Sequence, residues 1–215
     1  KTELKFNQII NNNYYFQVYD PLIEALLEQI ASLLNYNQLS EQKTEVLISI
    51  LNGALKQIQS TQHLTTLQSL YHKALTKLTL TNDNKENLFH SIVLFFEKLQ
   101  KLRTTISKKE YLYLEKSLLV SIEFYISKHT LNPSIIHQLF DIINNQIIFA
   151  GNKIISQYTL IYLKSIQVIT TEKITINDTI KQQSKLITNK LIYQLKLFNN
   201  QEKLINLVSK NNFNN

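Results

Sequence analysis

KIISQYTLIYLKSIQVITTEKITI, residues 153–176, decides the fold of this chain. Its β-branched and aromatic residues suit strands, which would place a small β module behind a helical front. Yet Ile154, Ile155, Tyr158, Tyr162, Ile166 and Ile169 recur at helical spacing and share one face. The stretch is therefore read as helix. A helical domain followed by a β module from about 150 is the alternative.

The same period runs through the rest of the chain. In DPLIEALLEQIASLLN, residues 20–35, Asp20 can cap the first turn and Pro21 sits where its missing N–H costs nothing. Ile23, Leu26, Leu27, Ile30, Leu33 and Leu34 then form one apolar stripe. A short loop at 36–39 leads to a second helix, so Leu26, Leu27 and Ile30 are expected to pack against its Leu47, Ile50 and Leu51. Further starts follow from caps: Ser40, Ser60 or Thr61, Asp83 with Glu86, Ser107 with Glu110, Asn132-Pro133, Asn177 and Asn199. Gly151 breaks the pattern at a joint.

Helices should thus begin near 21, 41, 62, 85, 108, 133, 152, 178 and 201, about 19 to 26 residues apart. This predicts an all-α chain of eight or nine antiparallel helices, stacked as hairpins in a solenoid-like array or an irregular bundle. Residues 20–209 form the helical domain, with a sub-boundary offered near 150. The aromatic segment 11–19 should place residues 1–19 on the core, and 210–215 reads as a disordered tail.

Composition narrows the chemistry. The 215 residues contain no Cys, which excludes disulfides and thiolate metal sites. They contain two Gly, two Pro and a single arginine, Arg103. No apolar run reaches the roughly 18 residues of a membrane span. A start at Lys1 with no Met suggests a processed protein or a piece of a longer one.

No motif points to catalysis or to a cofactor. The histidines lack HExxH spacing, and Glu86 with His90 offers two ligands where a metal needs a third. Glu24 and Glu28 lie one turn apart without a facing Glu-x-x-His, and read as a solvated face. No Gly-x-Ser-x-Gly elbow occurs, and with two glycines the chain cannot build a phosphate-cradling loop. Phe89, Phe95, Phe96, Tyr111, Tyr113 and Tyr125 sit among Leu and Ile and read as core.

Charge is the uneven feature. Residues 1–149 carry +1 and residues 150–215 carry +6 of the net +7. On the helix expected from 178, Ile180, Ile187, Leu191, Leu195 and Phe198 form the buried stripe. Lys181, Lys185 and Lys196 gather on one flank, a candidate basic interaction surface. The leading expectation is a non-catalytic structural or protein-interaction module, a segment or subunit of a larger assembly, with a protein partner. The alternative is a nucleic-acid or anionic-membrane-surface binder acting through the lysine-rich residues 150–215.

Overall fold

The computed structural model describes residues 20–35, 39–58, 60–78, 81–198 and 202–211. Among them are nine α-helices and no strand. In chain order these are α1 (Asp20–Leu33), α2 (Glu41–Gln57), α3 (Thr61–Lys77), α4 (Asn82–Leu102) and α5 (Lys108–Lys128). They continue as α6 (Pro133–Gln146), α7 (Asn152–Thr171), α8 (Asp178–Leu197) and α9 (Glu202–Lys210), with a 3-10 turn, Ile147–Phe149, directly after α6. The fold is all-α. The proposed placement of residues 1–19 on the core lies outside the described residues, as does the tail from 212 onward, while Lys210 closes α9.

The β module is not found, and α7 shows why its strand-like residues accept a helix. Ile154, Ile155, Tyr158, Tyr162, Ile166 and Ile169 are all buried on one face. The polar β-branched and hydroxyl side chains turn back onto their own helix. Thr159 Oγ1 donates to Ile155 O (2.8 Å), Ser165 Oγ to Ile161 O (2.7 Å) and Thr170 Oγ1 to Ile166 O (2.8 Å). Packing of the stripe outweighs the modest propensity difference. The helix ends at Thr171, where Lys173 takes the left-handed conformation (φ 52°) and the Ile174 N–H returns to Ile169 O at 3.0 Å.

Several caps fall where the sequence places them. Asn132 Oδ1 accepts from the Ile135 N–H at 2.9 Å, and Asn177 Oδ1 accepts from the Ile180 N–H at 2.9 Å. Ser107 and Glu110 form a reciprocal capping box: Glu110 N–H donates to Ser107 Oγ (3.2 Å), and Ser107 N–H to Glu110 Oε2 (3.0 Å). Other caps differ. Helix α4 starts earlier than expected, because Thr81 rather than Asp83 caps it by accepting from the Asn84 N–H at 3.3 Å. Ser40 and Ser60 stand at the N-cap positions without a side-chain cap bond. The Asp20 side chain and Asn199 lie outside the described residues.

The chain divides into two compact units, residues 1–121 and 122–215, with the division inside α5 rather than near 150. In the first unit α1 packs on α3 and α2 on α4, while α3 also touches α2 and α4. Gln68 Nε2 on α3 donates to Ser117 O on α5 at 2.9 Å. In the second unit α6 packs on α8 and α7 on α9, and α8 also meets α7 and α9. Within each unit several helices therefore meet the helix two places along, and α3 and α8 also meet their sequence neighbours. Stacked hairpins produce this pattern.

One expected pairing needs correction. Leu26, Leu27 and Ile30 are buried, but the principal neighbour of α1 is α3, not α2. Helix α2 already spends its buried residues on α3 and α4, whereas α3 offers Leu64, Leu67, Leu70, Tyr71, Ala74 and Leu75 along one face. The Glu24 Oε1 to His63 Nε2 contact at 3.6 Å marks the α1–α3 edge.

Two stability changes follow. Leu27→Ala should cost about 2 to 5 kcal/mol as a cavity in a closed core, measured by denaturant unfolding; a cost near zero would contradict the packing of α1. Lys173→Gly should stabilise the chain by about 0.5 to 1 kcal/mol, because glycine removes the left-handed strain that L-residues bear. An unchanged or lower melting temperature would contradict it.

Candidate interaction surface on α8

Helix α8 has three differently used flanks. Its inner stripe, Ile180, Ser184, Ile187, Thr188, Leu191 and Leu195, is buried. Two of these residues are polar and fully satisfied. The Tyr162 hydroxyl on α7 lies 2.6 Å from Ser184 Oγ and 2.9 Å from Thr188 Oγ1, and burial pushes its pKa up. A second flank is fastened to α6. Gln183 Nε2 donates to Asp141 Oδ1 (2.6 Å), and Lys190 Nζ donates to Asn144 Oδ1 (2.6 Å).

The third flank faces solvent and carries the lysines named from the sequence. At about 100° per residue, Lys181, Lys185 and Lys196 fall within about 60° of one another around the helix. All three are exposed. Lys181 Nζ is held by Asp178 Oδ1 at 3.2 Å, one turn back, so the positive charge of this flank rests mainly on Lys185 and Lys196. The sequence reading does not foresee the pairing of Lys181 with Asp178.

It also misses the neighbouring apolar row. Leu186, Tyr193 and Leu197 are 45 %, 64 % and 58 % exposed. They lie within about 40° of one another, beside the lysines and away from the buried stripe. Their spacing of seven and four residues is itself helical and marks a second face beside the inner stripe. The 3-10 turn that packs on α8 adds half-exposed Ile148 and Phe149. Tyr113, expected in the core, is likewise exposed, on α5. Phe89, Phe95, Phe96, Tyr111 and Tyr125 are buried as expected.

Other polar groupings have structural roles. His72 Nδ1 lies 3.1 Å from Ser121 Oγ, and Gln68 Nε2 reaches the same oxygen at 3.3 Å. Ser121 is only 1 % exposed, so this cluster ties α3 to α5 without presenting a nucleophile. A groove of about 480 Å³ between α2 and α4 is lined by Glu45, Ser49, Asn52, Lys56, Asn87 and His90, among others. Among the described residues no group of three His, Asp or Glu converges as a metal site. No helix among them is long and apolar enough to cross a membrane. Neither a family model, nor a curated protein, nor a solved structure matches the chain.

Lys98 shows how burial acts on a lysine that is not on a surface flank. Its Nζ donates to Leu55 O and, at 3.3 Å, to Lys56 O, closing the last turn of α2. Burial, reinforced by the nearby Lys101 charge, lowers its pKa to about 8 from an ordinary 10.5. Because the charged form is the one disfavoured in the fold, stability should rise between about pH 8 and pH 10.5, with the penalty fully present below that window. An NMR titration of the lysine side chains should show the Lys98 midpoint near 8; a midpoint with the surface lysines would contradict this environment.

Proposed function

We propose that this chain is a non-catalytic helical module that binds another protein, as a segment or subunit of a larger assembly. The observation that carries this reading is the outer flank of α8, where Lys181, Lys185 and Lys196 run beside half-exposed Leu186, Tyr193 and Leu197. Exposed apolar side chains set beside charge are the composition of a protein interface with its rim. The scarcity of glycine and the enclosure of the His72–Ser121 pair support the non-catalytic part of the reading.

A second reading has its own observation: the +6 balance of residues 150–215. Lysines in that number could meet the phosphates of nucleic acid or an anionic membrane surface. Phosphate recognition favours the forked guanidinium, however, and the one arginine, Arg103, lies in the other unit with its head 5.8 Å from the Tyr111 ring centre.

Reversing Lys181, Lys185 and Lys196 to Glu separates function from fold, since all three are exposed. The triple variant should melt like the parent and lose binding to an acidic protein. Unchanged binding would reduce the lysines to a solvated face. A steep loss of oligonucleotide binding with rising salt, in the parent chain, would favour the phosphate reading instead.

A further inference from the structure

We infer that the partner is an acidic amphipathic helix, lying along the outer flank of α8 with its apolar face on Leu186, Tyr193 and Leu197. Its carboxylates meet Lys185 and Lys196. This inference rests on the protein-binding reading above and names the class of partner.

Three features argue for it. The first is geometry. From Leu186 to Leu197 the row rises about 16 Å along α8, the length of three helical turns. The ridges of one helix fit the grooves of another over that distance, and a partner of about eleven residues covers it. The second is chemistry across the flank. The apolar row and the lysine row are centred about 100° apart around α8, on its outward half, with exposed Gln182 and Asn189 between them. A ligand that satisfies both needs apolar groups on one face and negative charge on the adjoining edge. Phosphate backbones supply the charge without the apolar face.

The third feature is the state of the charges before binding. Lys190, toward α6, already donates to Asn144, and Lys181 already pairs with Asp178. Lys185 and Lys196, the other lysines of α8, stand three turns apart along it (about 16 Å). Carboxylates about three turns apart on one edge of a partner helix match that separation. Asp178, 90 % exposed at the N-terminal end of α8, repels such a partner and holds Lys181 back from it.

Fluorescence anisotropy with labelled synthetic peptides of about twelve residues tests this. The probe carries Leu and Phe at helical spacing and Glu along one edge. Comparison peptides are a scrambled sequence of the same composition and a version with Lys in place of Glu. A single-stranded oligonucleotide and phosphatidylserine vesicles complete the set. The full chain should bind the acidic amphipathic probe and not its scrambled or lysine versions.

Tyr193→Ser with Leu197→Ser, and separately Lys185→Glu with Lys196→Glu, should each weaken binding about tenfold or more. The lysine-edged peptide should regain affinity for the charge-reversed variant. Asp178→Asn should strengthen binding of the acidic probe, because it frees Lys181. Circular dichroism of each variant should match the parent, since every substituted side chain is exposed.

Equal binding of the scrambled acidic peptide, or indifference to the Tyr193 and Leu197 changes, would overturn the helix inference while leaving protein binding in place. Binding of the oligonucleotide or vesicles in preference to every peptide would overturn both. Failure of the folded parent chain to bind the acidic probe would overturn the inference outright.

Discussion

The apolar stripes of the central helices α3 and α8 are wider than one neighbouring helix can cover, and the packing of each unit follows from that width. Helix α8 shows the consequence most fully: its buried residues meet α6, α7 and α9 together. Helix α3 stands in the same position among α1, α2 and α4. Because these two stripes are shared among neighbours one and two places along the chain, the helices of each unit interlock rather than pair off. Without cysteine, the chain has no disulfide to hold it, and side-chain packing must supply the stability that offsets the entropy of ordering.

That packing also decides which polar groups remain inside. Tyr162 can be buried because Ser184 and Thr188 satisfy its hydroxyl, and the two residues in turn occupy inner positions of α8 without a dry polar atom facing Leu or Ile. Gln68 does the same work between α3 and α5. With its inner side sealed and a second flank fastened to α6, α8 has one outward half left. The lysines and the second apolar row share that half, so core and candidate surface are different sides of one helix.

Much of this was legible from residue spacing. The period of Ile154 to Ile169 announces α7 against the β propensity of the same residues, and Asn132, Asn177 and the Ser107–Glu110 pair announce helix starts through local hydrogen bonding. What spacing does not carry is pairing at a distance. The choice of α3 over α2 as the main neighbour of α1 depends on which faces are already occupied, a property of the assembled unit. The Thr81 cap of α4 was hidden because Asp83 and Glu86 offered an equally good local pattern three residues apart. At the candidate surface, the grouping of Lys181, Lys185 and Lys196 is a matter of helical geometry and was readable. The second row at Leu186, Tyr193 and Leu197 is not legible as exposed, because apolar residues on a helix ordinarily face inward.

Backbone ¹³C chemical shifts across residues 152–197 test the central claim most directly, since that stretch holds both the strand-like residues of α7 and the helix that carries the candidate surface. The account predicts helical shifts from Asn152 to Thr171, a break with a left-handed signature at Lys173, and helical shifts again from Asp178 to Leu197. Strand-type shifts between Ile154 and Ile169 would contradict it, because tertiary packing would then not have overruled the local preference of α7.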